Sequence, residues 1–316
     1  MTNPRIVSLL PSATEIVAVL GLLPQLVGRS HECDFPSAVT ALPICTEPRF
    51  TPEGNSREIH ARVTTVLESA LSVYRVKIEV LAELQPTHIL TQAQCEVCAV
   101  SQRDVEAAVA ELTGCQPQIL SLQPMVLAEV WQDVQRVAEL FDLEATPVVE
   151  SLVKRAQTCQ SQSARGARPT VACIEWIEPL MVAGNWLPEL VALAGGESLL
   201  GSVGQHSSWL QWEELVQADP DVVVFMPCGF DLAKTRTEAE AALGAPHWLQ
   251  LRAVQTGRVY VTDGNAYFNR PGPRLVESAE ILAEILHPQL VGGQHQGTGW
   301  QQLTPRPSSS PVTVQS

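Results

Sequence analysis

Two stretches of the chain concentrate residues that could ligate a soft metal or pair a thiolate with an imidazolium: His31-Glu32-Cys33-Asp34 and Gln94-Cys95-Glu96-Val97-Cys98. Imidazole and thiolate suit zinc and related ions, a Cys-x-x-Cys pair suits redox exchange, and either group could reach the metal of a bound cofactor. Cys95 or Cys98 with His31, oriented by Glu32 or Asp34, would also outline a nucleophile and its base. The two halves lie far apart, the chain has no second Cys-x-x-Cys, and no catalytic signature surrounds them. Cysteines packed beside loops are favoured over a zinc site, and no enzyme is expected.

The aromatic residues suggest a different chemistry. They make up only 5% of the chain, yet Trp176, Trp186, Trp209, Trp212, Trp248, Phe230, Tyr267 and Phe268 all fall in its second half. Trp176, Trp186, Phe230, Tyr267 and Phe268 follow strand ends or lie in loops rich in Gly, Pro and Asn. There they offer faces to a large flat ligand, or else pack in the core. Pro227-Cys228-Gly229-Phe230 adds a thiol to the same group. The stiff loop Asp263–Arg274 carries Arg270 and Arg274, whose forks suit carboxylate, phosphate or amide edges, or internal salt bridges.

These residues need a scaffold, and the hydrophobic pattern supplies a β/α alternation. Strands are expected at Arg5–Leu10, Leu26–Ser30, His88–Thr91 and Gln118–Leu122. Helices are expected at Ile16–Leu20 behind a Ser12–Glu15 capping box, at Glu68–Leu84 and at Arg103–Leu112. Residues 125–168 instead read as two helices, Val126–Phe141 and Val148–Ser163, the second a rod of roughly 27 Å. The alternation resumes with strands at Thr170–Ile174, Asp221–Met226 and Val259–Thr262. Helices follow at Leu187–Leu193, Trp212–Gln217, Ala241–Leu251 and Leu275–Leu286. The expected organisation is an α/β lobe over 1–124, connecting helices over 125–168, a second α/β lobe over 169–288 and a disordered tail over 289–316. Both lobes hold the same clause of short helix, proline and apolar strand, once around Pro86 and once around Pro220.

Ligands of open parallel sheets gather beyond the carboxyl ends of the strands, where the His31, Gln92–Cys98, Glu175–Trp176 and Cys228 segments fall. With 316 residues, 45% apolar and 17% charged, the chain can bury two substantial cores. A formal charge of −14 argues against a nucleic-acid partner. No stretch reaches the ~18–20 unbroken apolar residues of a membrane span. The start lacks the basic, apolar and small-residue order of a secretory leader, so a cytoplasmic protein with reduced cysteines is expected, or a periplasmic one if a leader precedes this sequence.

At these residues the sequence resembles a known family. Arg5-Ile-Val-Ser-Leu-Leu-Pro-Ser-Ala-Thr-Glu15, the paired proline clauses, and Trp186-Leu-Pro-Glu-Leu190 with Ala194-Gly-Gly196 resemble class III substrate-binding proteins, which serve ABC importers of cobalamin, haem, siderophores and metals. The resemblance spans Arg5–His287. Ser30–Asp34, Gln94–Ala99, Pro227–Phe230 and Asn265–Arg274 look like its cobalamin-binding subgroup. It implies two Rossmann-like lobes with mostly parallel sheets, joined by one rigid helix at Pro147–Ser163, with a ligand clamped between them by small rotations.

Cobalamin or a related corrinoid would then be a non-covalent ligand, with no cofactor required. His31, Cys33, Gln94, Cys95, Cys98, Trp176, Trp186, Cys228, Phe230, Tyr267, Phe268, Arg270 and Arg274 would line its site. His31 or a cleft cysteine would be positioned to reach the central metal. Glu79 and Glu213 match the family's two docking glutamates, which meet a permease. The alternatives are a metal or redox protein built on His31, Cys33, Cys95 and Cys98, or an importer subunit for haem or a siderophore.

Overall fold

The computed structural model describes residues 3–69, 72–92, 102–112 and 114–303. In the first lobe, β1 (Ile6–Ser8), α1 (Pro11–Val19), β2 (Leu26–Arg29), β3 (Thr46–Pro48), α2 (Ser56–Glu68), β4 (Tyr74–Val76), α3 (Ile78–Leu84), β5 (His88–Gln92), α4 (Gln102–Ala110) and β6 (Gln118–Leu122) follow one another. The sheet runs β2-β1-β5-β6, all parallel, and β3 pairs antiparallel with β4 at its side. Ile6, Val7, Ile89 and Leu90 are wholly buried. Consecutive apolar residues are what a parallel strand covered on both faces requires.

Two local expectations are corrected. The capping box at Ser12–Glu15 is not used: α1 starts at Pro11, whose fixed φ suits a first helical position, so Ser12, Thr14 and Glu15 lie inside the helix and are buried. The single helix over Glu68–Leu84 is instead the end of α2, the strand β4 and the short α3. A capping box does form between Asn55 and Glu58, at the start of α2.

Next come α5 (Leu127–Leu140) and α6 (Thr146–Ser163), the latter 18 residues long. Both helices reach two cores. Leu127 and Val130 of α5 pack with the second lobe, whereas Val134, Val137 and Ala138 pack with the first. In α6, Val148 and Val149 touch the first core and Cys159 the second. The sequence expected one such rod and the structure has two, since α5 also straddles the boundary.

The second lobe comprises β7 (Thr170–Trp176), β8 (Met181–Val182), α7 (Leu187–Leu193), β9 (Glu197–Ser198), β10 (Ser208–Trp209), α8 (Trp212–Ala218), β11 (Val222–Phe225), α9 (Leu232–Leu243), α10 (Arg252–Gln255), β12 (Val259–Thr262), α11 (Leu275–Leu286) and β13 (Trp300–Leu303). Its sheet order is β10-β8-β7-β11-β12-β13, with β9 beside β7. The central strands β7, β11 and β12 are parallel. The helix expected at Ala241–Leu251 begins earlier, because Asp231 accepts from Lys234 N and caps α9, and Pro246 then opens a 3₁₀ turn.

The tail is a larger correction. Residues 289–303 fold onto this lobe, and β13 pairs antiparallel with β12. Gly, Gln and Thr supply its turns, and the buried Trp300 and Leu303 supply its anchors, too few to make an apolar period. Residues 304–316 lie outside the described residues. The two proline clauses do fold alike: α3 and α8 end in left-handed residues, Gln85 at φ 45° and Asp219 at φ 38°, each followed by proline and a parallel strand.

The candidate ligand cleft between the lobes

Loops from both sheets meet beyond the strand ends. The first lobe sends His31–Phe35 from β2, and the second sends Glu175–Trp176 from β7, Cys228–Phe230 from β11 and Asp263–Arg274 from β12. Within the second lobe, Cys228 N donates to the Glu175 carbonyl at 3.2 Å and Asn265 N to the Phe230 carbonyl at 3.0 Å. Between lobes, Arg270 donates to both Asp34 oxygens, at 2.5 and 3.0 Å, and to the Glu32 carbonyl at 3.3 Å. Arg274 Nη2 donates to Glu15 Oε1 at 2.5 Å, and Arg270 Nη1 lies 3.8 Å from the same oxygen. Ser56 donates to Glu238 at 2.9 and 3.0 Å, and Arg57 pairs with Glu178, outside this centre.

Arg270 and Arg274 are therefore not free cations awaiting a ligand. They are buried and neutralised by Glu15 and Asp34 of the opposite lobe. The Arg274 guanidinium also lies 4.1 Å over the Phe35 ring and 5.5 Å from Tyr267. Phe35 was absent from the sequence-derived site, although it directly follows the His31–Asp34 motif. It is 45% exposed.

The aromatics divide. Trp186 and Phe268 are core residues, at 5% and 0% exposure, and Trp186 Nε1 donates to the Phe268 carbonyl at 3.0 Å. They anchor the loop from below and offer no face to a ligand. Phe230 is also buried, between Trp176, 5.2 Å away, and the ammonium of Lys234 at 4.0 Å. Trp176 and Tyr267 are half-buried and, with Phe35, present the ring surface at the lobe boundary.

His31 and Cys33 do not share a site. The Cys33 thiol is buried beside Thr14 Oγ1, at 3.0 Å, and burial pushes it up to about 12, so it presents no thiolate. The His31 ring turns instead to Thr46, with Nδ1 2.8 Å from Oγ1, and lies tilted at 46° against Tyr74, 5.2 Å away. Burial first, then Lys77 and Arg29, hold it down to about 4, so the imidazole is neutral at pH 7. Thr46 Oγ1 also bonds Ser30 Oγ at 3.0 Å, and His31 Nε2 lies 3.9 Å from Glu32 Oε1; a neutral ring protonated on Nδ1 would donate to Thr46 and keep its lone pair on Nε2. Cys228 is half-buried, and Gln94, Cys95 and Cys98 lie outside the described residues. Among the described residues no three His, Cys, Asp or Glu side chains are grouped to hold a metal ion.

Several carboxyl groups left out of the sequence-derived ligand set line the cleft. Burial pushes Glu175 up to about 7, against a 2.6 Å hydrogen bond from Ser207. Burial also raises Glu32, which accepts from Tyr74 at 3.1 Å, and Asp263, which accepts from Ala266 N at 2.7 Å. Glu15 is raised by burial, against the pull of the two arginines. These residues fall within motifs noted in the sequence, but the burial and pairing of Glu15, Glu32 and Glu175 come from Arg274, Tyr74 and Ser207, which lie far along the chain.

Residues 6–266 match the family described as Periplasmic binding protein. An uncharacterized ABC transporter substrate-binding lipoprotein of Bacillus subtilis, YvrC, is 22% identical over 298 residues, 90% of this chain and 80% of that protein. A periplasmic heme binding protein from Pseudomonas aeruginosa has the same fold at TM-score 0.67 and 20% identity, over 90% of this chain and 93% of that one. The periplasmic vitamin B12 binding protein BtuF of Vibrio cholerae has it at TM-score 0.61 and 21% identity, over 89% and 96%. The chain belongs to the periplasmic binding protein family: it is a two-lobed α/β substrate-binding protein and not an enzyme.

Proposed function

We propose that the cleft binds cobalamin or a related corrinoid, non-covalently. The observation that carries this reading is the charge balance of the cleft. Arg270 and Arg274 are paired with Asp34 and Glu15, while Glu32, Glu175 and Asp263 are carboxyls that burial drives toward the neutral acid. A ligand rim of neutral amides finds donors and acceptors there without bringing a charge. The carboxylates of haem, or an anionic siderophore, would need free cations, which these arginines do not provide. Phe35, Trp176 and Tyr267 supply ring faces for a macrocycle. The neutral His31, with its Nε2 lone pair, supports an axial contact to the central metal.

Exposed Glu79 and Glu213 stand in the first turns of α3 and α8, equivalent places in the two lobes, and this supports docking to an importer permease. Residence in the cytoplasm is a separate proposal, supported by six free thiols among the described cysteines, and tested by cell fractionation. Ligand class is tested by calorimetric titration with cyanocobalamin, haem and a ferric siderophore in parallel. Saturable micromolar or tighter binding of cyanocobalamin alone is expected; tighter binding of haem overturns the charge argument. A visible spectrum of the complex that is the same in wild type and His31→Ala removes the axial role.

A further inference from the structure

The family match ends at residue 266, yet the folded chain continues to Leu303 and returns to the cleft. Glu284 of α11, 2% exposed, is the hub of this return. Its carboxylate accepts from Gln294 N at 2.8 Å, from His295 N at 3.1 Å, from His295 Nδ1 at 2.9 Å and from Trp300 Nε1 at 2.7 Å. A buried carboxylate with so many donors is a strong fastening, because replacing it strands every donor at once. Beyond it, the segment reaches the ligand loop twice. Gly299 offers its carbonyl to Asp263 N at 2.9 Å, and the His295 ring stands edge-on to Tyr267 at 6.3 Å. Gly299 passes against Ile281, where an added Cβ would come within 2.8 Å of its Cδ1, so the approach is close.

Asp263 in turn caps the turn Gly264–Phe268 through Ala266 N, and Tyr267 lies beside the Arg274 guanidinium that pairs with Glu15. We propose that His295–Trp300, fastened by Glu284, is a positioning element that holds the loop Asp263–Phe268 in its ligand-facing conformation. The tail is then a working part of the cleft. Its effect on affinity rests on the corrinoid reading; its effect on the loop does not.

The test uses full-length His295→Ala and Glu284→Gln proteins, the first keeping the fastening carboxylate and the second disrupting it. Amide hydrogen exchange is measured without ligand at Asp263 and Ala266, and cyanocobalamin affinity by titration. Exchange at both amides is expected to rise at least tenfold while Val222–Phe225 is unchanged, and cyanocobalamin Kd is expected to weaken at least tenfold. Loop exchange within twofold of wild type in His295→Ala overturns the proposal. So does an increase that the central strand shares equally, which would mean general destabilisation. If wild type binds no cyanocobalamin, the ligand reading fails, and the exchange rates still decide the positioning role.

Discussion

Replacing Glu15 by alanine tests the interlobe centre most sharply. Glu15 is 2% exposed and Arg274 8%, and their 2.5 Å bond joins residues 259 positions apart. Removing the carboxylate leaves a buried guanidinium with ring contacts to Phe35 and Tyr267 but without its direct ion pair, since Asp34 is paired with Arg270 and acts on Arg274 only at longer range. Breaking a buried pair in this way costs about 3–5 kcal/mol. The pair is also incomplete, since Glu15 Oε2 and Arg274 Nε have no hydrogen-bond partner among the described residues. The double change Glu15→Ala with Arg274→Ala is therefore expected to cost less than the sum of the singles, because it strands no charge. Asp34 is the comparison: its side chain is 52% exposed, and Arg270 without it still has Glu15 at 3.8 Å, so Asp34→Ala should cost less than Glu15→Ala despite its two bonds to Arg270. Urea unfolding followed by circular dichroism and by tryptophan emission gives the values, with two probes because two lobes need not unfold together. A Glu15→Ala loss under 1 kcal/mol, or an Asp34→Ala loss that equals it, refutes the assignment of the buried pair as the centre of the interlobe contact.

Three further outcomes follow from the same geometry. Trp186→Ala should destabilise by about 3–5 kcal/mol as a core cavity, whereas Trp176→Ala should change stability little and weaken cyanocobalamin binding at least tenfold; calorimetry and melting curves separate the two. Glu175 has a folded pKa of about 7, raised from 4.5, so the folded protein holds its proton where the unfolded chain has lost it. Stability should fall as pH rises through that window, by at most about 1.4 kcal/mol per pH unit, and Glu175→Gln should remove this part of the slope in urea titrations at successive pH values. In a protein with Cys95 and Cys98 changed to serine, a thiol reagent should label half-buried Cys228 and Cys115 in the native state, while Cys33, Cys45 and Cys173 react only on unfolding.

What the sequence revealed and what it hid divide along sequence separation. Strands such as Gln118–Leu122 and Val259–Thr262, and helices such as Leu187–Leu193 and Leu275–Leu286, are expected and observed with the same bounds, because each carries its own apolar run and its own stop signal. Errors arose where two local signals competed, as at Ser12–Glu15, where Pro11 prevails as the helix start, or where a strand as short as Tyr74–Val76 gains its stability from β3. The tail failed for a related reason: its order comes from Glu284 and from β12, neither of which shows in a window of Gly, Gln and Thr.

The cleft shows the same division at the level of charge. Arg270 and Arg274 were legible as fixed cations, and the loop that carries them was legible as stiff, but their charge state as a site was not. That depends on Glu15 and Asp34, which arrive from the other lobe and whose local motifs do not reveal that their partners are these arginines. A cation seen in sequence suggests an anionic ligand; the same cation paired with a carboxylate turns the preference toward a neutral one. The choice between a carboxylate-bearing and an amide-bearing macrocycle therefore lies in contacts that exist only after the lobes have met, and the aromatic residues, which suit either ligand, could not have made it.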